Sequence, residues 1–342
     1  MKRIISSKTV LLLFVVAFSS LLFSTGGNAA EKTITLKLAN QLAPVHFMSV
    51  VFDGWAKDLE KRTNGRVKVI NFHAATLAPA TQTYDAVSKG IADVANVLLG
   101  NTTGRFPLSE VLELPVGYPN SRIGTKVMNQ FYQRFKPKEL DQVKILWFHS
   151  QTPGWICMCK KPISKLEDLK GVKLRSYGGN VRFVRALGAT PVAMPMPEVY
   201  EALSKGIIDG IGSAYEALES RRTGEFIKYV TENRLSSYST SFVMMMNKRR
   251  WDSLPTDIQK IIDQMSEEYI KKSGEAWDLA DQSGWKFVEK LGTKKIILSP
   301  EEEQKWIEKG QKPVFDDYVK RMKEKGLPGK EALKFVMDLV KR

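Results

Sequence analysis

The chain alternates between strand-like and helix-like hydrophobic rhythms. Ile34 to Ala39 alternates apolar and polar positions as an opening strand does, while Val94 to Leu99, apolar but for Asn96, and Phe242 to Met246 are apolar runs that read as buried strands. Val67 to Phe72, Val143 to Phe148 and Thr190 to Met194 are further strand candidates. His46 to Arg62 has helical spacing through Val51, Trp55 and Leu59, and Thr63-Asn64-Gly65 supplies a C-cap turn. Pro162 to Gly171 reads as a short helix starting at Ser164, followed by a strand from Val172 to Arg175. After Leu254-Pro255 the spacing predicts a long helix capped by Thr256, with Ile258, Ile261, Ile262, Met265 and Tyr269 in one stripe.

One segment occurs twice. Residues 84–93 read YDAVSKGIAD and residues 200–209 read YEALSKGIID. Each reads as a helix end, a glycine stop (Gly90, Gly206) and the start of an apolar strand, and each follows a strand candidate and a loop. A chance helix cap explains the glycine but not the Ser-Lys and the trailing Asp. The repeat therefore predicts two α/β lobes of similar plan, which suits a length of 342 residues. Ligands of such lobes bind at the carboxyl ends of strands, where connections diverge.

The N-terminus changes what the charge means. Lys2, Arg3 and Lys8 precede an apolar run from Val10 to Phe23, and small residues lead to Asn28-Ala29-Ala30, the order of a secretory signal peptide spanning residues 1–30. Removing those three basic residues turns a net charge of +15 into +12, so the basicity belongs to the exported portion. Export disfavours nucleic acid as a partner and leaves anions in view. The two cysteines, Cys157 and Cys159, lie on one face if their segment is a strand. That spacing suits neither a disulfide nor a metal site, so they read as small buried residues.

Catalytic signatures are absent: there is no GxSxG elbow, HExxH, GxxxxGK[ST] or GxGxxG. His46, His73 and His149 are scattered, and the acids Glu301 to Glu303 sit where a Pro-initiated helix favours them. The reading is of a binding protein rather than an enzyme, with no cofactor and no metal.

Several stretches carry a family resemblance. Leu166-Glu-Asp-Leu-Lys-Gly-Val-Lys-Leu-Arg175, Leu187-Gly-Ala-Thr-Pro-Val192, Met194-Pro-Met-Pro-Glu-Val-Tyr-Glu-Ala-Leu203 and Gly206-Ile-Ile-Asp-Gly210 occur in order and resemble the substrate-binding subunit of tripartite ATP-independent periplasmic (TRAP) transporters, DctP type. Counterparts of Thr63 to Val69, the Leu77 loop, Leu114-Pro115, Asn247-Lys248 and Trp251 to Pro255 extend the resemblance over the mature chain. It implies an α/β, two-lobed periplasmic-binding-protein (Venus-flytrap) fold with a long helix crossing both lobes. On that plan lobe I comprises residues 31–152 plus about 241–282, and lobe II residues 153–240 plus about 283–342. The implied function is a periplasmic receptor, monomeric, that closes on a small organic acid and delivers it to TRAP permease subunits for uptake driven by an ion gradient. A ligand sensor signalling to a membrane kinase, or an exported enzyme acting on a small acid, are the alternatives.

The resemblance also implies site residues. Arg175 matches the family's carboxylate-binding arginine, a role that suits a planar fork of two parallel donors. Gln41, Leu99, Asn101 and Tyr177 match cleft positions. Where many relatives carry a second arginine this chain has Gly154 and Trp155, and where many carry Gln-Glu-Asn it has Ile211, Gly212 and Ser213, then Tyr215 and Glu216. Met196 replaces a frequent aromatic. With Trp155, Met196, Ser213 and Tyr215 taken as cleft residues, these departures imply a ligand with one carboxylate and an apolar or aromatic body.

Overall fold

The computed structural model describes residues 33–102 and 104–341. The expected signal peptide lies outside them. Two sheets organise the rest. The first has the order β2 (Val67–Phe72), β1 (Ile34–Ala39), β3 (Val94–Leu98), β10 (Ser241–Asn247) and β4 (Val143–Ser150), with β1 parallel to β2 and β3 and with β10 antiparallel to its neighbours. The second has the order β11 (Lys294–Ile297), β9 (Tyr229–Glu232), β5 (Trp155–Met158), β8 (Gly210–Ser213), β6 (Lys173–Ser176) and β7 (Thr190–Ala193). Strand and helix alternate because βαβ crossovers are how parallel strands are joined.

The chain passes between the sheets at residues 151–154 and 233–240. These two segments pair: Gln151 N–H donates to Thr240 O (3.0 Å) and Gly154 N–H to Tyr238 O (2.9 Å). The third connection is the helix Thr256–Lys290, whose buried stripe of Ile258, Ile262, Met265 and Tyr269 matches the predicted period, with Ile261 half-buried. Its N-cap is Pro255, not Thr256, which is the first helical residue and makes no capping bond. Proline has no N–H to lose there and its fixed φ suits the entry.

The long helix holds both lobes by two acids one turn apart. Asp278 accepts from Ser121 N–H (2.7 Å) and Arg122 Nε (2.8 Å) at the start of the lobe I helix Ser121–Phe135. Asp281 accepts from Glu216 N–H (3.1 Å), at the start of the lobe II helix Tyr215–Ser220, and from Thr152 Oγ1 (2.8 Å) on a crossing segment. Past β11 the chain returns toward lobe I: the helix Gly329–Val340 packs on Ser121–Phe135, and Arg321 makes paired bonds to Glu110 at 2.8 and 2.9 Å.

Other elements differ in detail from the sequence reading. Pro162 to Gly171 contains a single 3-10 turn, Leu166–Leu169, held by Asp168 accepting from the N–H groups of Ser164 and Lys165 rather than by Ser164. Both cysteines are free; Cys157 is buried and Cys159 half-buried, and burial pushes the Cys159 thiol up to about 11.

Candidate binding cavity between the lobes

Between the sheets lies a cavity of about 370 Å³. Its lining divides into a charged end and an aromatic wall.

The charged end is built on β6 and β8. Arg175, 8% exposed, points from β6 into the cavity, and its Nε donates to Met194 O at 3.1 Å. It makes no ion pair among the described residues, and its guanidinium lies 5.5 Å from the Tyr177 ring. Burial lowers its pKa from the usual arginine value, yet an arginine remains charged, so a desolvated cation faces the cavity. Around it are groups with unused hydrogen-bonding capacity. Asn180 is 2% exposed with neither its Nδ2 nor its Oδ1 partnered, and no described residue bonds the Tyr238 hydroxyl. Both come together over Gly212: a Cβ there would stand 2.9 Å from Asn180 Nδ2 and 3.1 Å from Tyr238 Oη. Gly154 has a related reason to lack a side chain, because the Tyr238 ring fills the place its Cβ would take.

The aromatic wall belongs to lobe I and the long helix. Trp277 stacks on Phe242 (5.4 Å between ring centroids) and on His149 (6.1 Å). Its Nε1–H donates to His149 Nδ1 (2.9 Å), and His149 Nε2 lies 3.0 Å from Asn96 Oδ1. The indole can only donate, so the His149 proton sits on Nε2; burial holds that imidazole neutral, with a pKa lowered to about 3. His149 is thus a fixed hydrogen-bond relay under the wall.

Six residues proposed from sequence line the cavity: Gln41, Asn101, Arg175, Tyr177, Met196 and Ser213. Three of them form a cross-cleft chain, in which Tyr177 Oη donates to Asn101 Oδ1 (2.7 Å) and Asn101 Nδ2 donates to Gln41 Oε1 (3.3 Å). The other three do not line it. Trp155 shares a β5 face with Cys157 and packs on Tyr215 inside the lobe II core, 6.4 Å between centroids. Tyr215 also packs on Trp285, and its hydroxyl donates to Glu232 (2.9 Å). One residue further around the helix, Glu216 faces the cavity instead. Leu99 is 6% exposed and borders a neighbouring cavity of about 310 Å³, whereas Leu98 reaches the main one.

Sequence reasoning missed Asn180, Tyr238, Phe242, Trp277 and the polar group of His46, Gln151 and Glu216. Only Gly154, with no side chain where an arginine was expected, hinted at a bulky neighbour. Among the described residues no cluster of three His, Cys, Asp or Glu side chains could hold a metal ion.

Comparison with known proteins fits this geometry. The family model described as bacterial extracellular solute-binding protein, family 7 (DctP) matches residues 39–321. A TRAP periplasmic solute-binding protein from Desulfovibrio salexigens is 32% identical with a TM-score of 0.81, over 90% of this chain and 95% of that one. One from Rhodoferax ferrireducens, solved with copurified benzoate, is 28% identical at a TM-score of 0.84, over 90% and 98%. A marine metagenome protein specific for aromatic acids, solved with 3-hydroxybenzoate, is 28% identical at 0.85, over 91% and 98%.

Proposed function

This chain belongs to the DctP family, bacterial extracellular solute-binding protein family 7, and we propose that the acid it carries is an aromatic monocarboxylate. Its function is that of a TRAP transport receptor for a carboxylate ligand. The carrying observation is a buried arginine without a counter-charge, set in a cavity whose other wall is Trp277 and Phe242. Arg175 takes the carboxylate as a bidentate pair, with Asn180 and Tyr238 supplying further donors. The ring lies against the aromatic wall, where stacked or edge contacts reward a flat π-system. Of the two arginines on the lining, Arg175 is the buried one and Arg221 the more exposed, which suits one carboxylate at Arg175, and the benzoate and 3-hydroxybenzoate bound to relatives support that chemistry.

The receptor works outside the cytoplasm as a monomer and releases the acid unchanged to TRAP permease subunits. The lobes close by bending at residues 151–154 and 233–240, and the ligand favours the closed form because it touches both lobes only there. The experiment is a thermal-shift screen of organic acids, followed by native mass spectrometry of the saturated protein. Benzoate-class acids should raise the melting temperature and be recovered intact. Stabilisation by dicarboxylates alone, or a changed ligand mass, would refute the reading.

A further inference from the structure

We propose that the cavity has a second polar pole, formed by His46, Glu216 and Gln151, which takes a hydroxyl group carried on the ring of the bound acid. This rests on Arg175 as the carboxylate anchor. His46 caps the helix Phe47–Arg62 by accepting Met48 N–H at Nδ1 (3.2 Å). A neutral imidazole that accepts at Nδ1 carries its proton on Nε2, and burial keeps His46 neutral. That Nε2–H is a donor with no hydrogen-bond acceptor among the described residues. Its nearest carboxylate oxygen, Glu216 Oε2, is 4.0 Å away, beyond a direct bond.

Glu216 is held from its other side. Oε1 accepts from Gln151 Nε2 at 2.6 Å, while Oε2 receives only a 3.2 Å bond from Ser220 Oγ. His46 is 7% exposed and Glu216 4%, and both line the cavity. A fixed donor and a fixed acceptor thus stand one oxygen atom apart: an oxygen about 2.8 Å from each fits the 4.0 Å gap. A hydroxyl satisfies both, accepting from His46 and donating to Glu216. An ammonium has no lone pair for His46, and a second carboxylate could be received only with Glu216 protonated.

The two poles are separate. Arg175 stands on β6, whereas Glu216 stands on the helix Tyr215–Ser220 opposite the His46 cap of Phe47–Arg62. They also differ in origin, since His46 comes from lobe I, Glu216 from lobe II and Gln151 from the crossing between them. Closure would therefore complete the hydroxyl site, and a ligand without the hydroxyl would leave His46 Nε2–H to water.

The test is titration calorimetry with benzoate, 3-hydroxybenzoate and 4-hydroxybenzoate on wild type, His46→Asn and Glu216→Gln. Asparagine keeps a capping acceptor and glutamine keeps the size of Glu216; thermal unfolding verifies each fold. In the wild type one hydroxybenzoate should bind about tenfold or more tighter than benzoate, the worth of a bond to a charged group. That ratio should collapse in both variants. Equal wild-type affinities, with benzoate still binding, would overturn the hydroxyl site and leave the aromatic reading standing, as would a ratio that survives both substitutions. Failure of all three acids to bind would remove the aromatic reading and this inference with it.

Discussion

Residues 84–93 and 200–209 build the same local structure in different sheets. Each ends a short helix, turns through a glycine of positive φ (Gly90 at 81°, Gly206 at 66°), and clamps a neighbouring strand with an aspartate. Asp93 N–H donates to Lys37 O while its carboxylate accepts Lys37 N–H; Asp209 does the same with Lys173, and both carboxylate bonds are 2.8 Å. β3 and β8 leave these clamps alike and run to the cavity. What they deliver there differs. Beside β3 stand Leu98, Phe242 and Trp277; beside β8 stand Arg175, Gly212, Ser213 and Glu216. A duplicated frame thus carries divided chemistry, a ring surface beside the first sheet and Arg175 beside the second, so in the proposed binding mode neither lobe would hold the acid alone.

The division can be broken outright at Arg175. Arg175→Ala should cost about 3 kcal/mol of benzoate affinity, roughly 100-fold, by calorimetry, and Arg175→Lys should recover only part because it lacks the fork. A loss under tenfold would put the carboxylate elsewhere. The likeness of the frames is tested by Asp93→Ala and Asp209→Ala in urea unfolding. Asp93 is less exposed and also lies 3.4 Å from Arg250, so its loss should cost about 2 kcal/mol against about 1 for Asp209.

Acid separates the lobes more finely. Burial raises Glu216 to about 7 and Asp281 to about 6, and lowers His46 and His149 to about 3. A raised acid favours the fold fully below its unfolded pKa, near 4, and loses that contribution as pH climbs through its folded value. A lowered histidine favours the fold above 6.5 and loses that contribution as pH falls toward 3. The two trends oppose each other between pH 6.5 and 4.5. Glu216→Gln leaves Asp281 and Arg221 in place but removes one opposing proton. Unfolding free energy should then fall with acidification more steeply, by up to about 1.4 kcal/mol per pH unit. A slope equal to wild type would show that Glu216 gains no proton on acidification.

The smallest effect concerns the ring wall. Phe242→Leu should weaken benzoate relative to cyclohexanecarboxylate by about 0.5–1 kcal/mol in paired titrations, because only the flat ring loses an aromatic partner. An unchanged ratio would detach the ring from lobe I.

The frame was legible in the sequence because its signals are local: apolar periodicity fixed most strands, and the repeat announced two lobes. Arg175 was legible because a contiguous motif surrounds it. The aromatic wall was not, since Phe242 and Trp277 belong to segments that meet only through β10 and the long helix. Helical phase decided between Tyr215 and Glu216, and neighbours one position apart on a helix point about 100° apart. Trp155 misled for a similar reason, since β5 turns it to the face of Cys157 and away from the cavity.

Asp278 and Asp281 bear on how many ways this molecule can move. They are separated by three residues, about 4.5 Å of helical rise, yet each anchors a different lobe. In the closure proposed above, fastenings so close together would allow rotation about them, while sliding either lobe along the long helix would break one of them. A distance measured between labels on the two cleft rims would then follow that rotation, and the same pair of labels would serve as an optical reporter of the ligand.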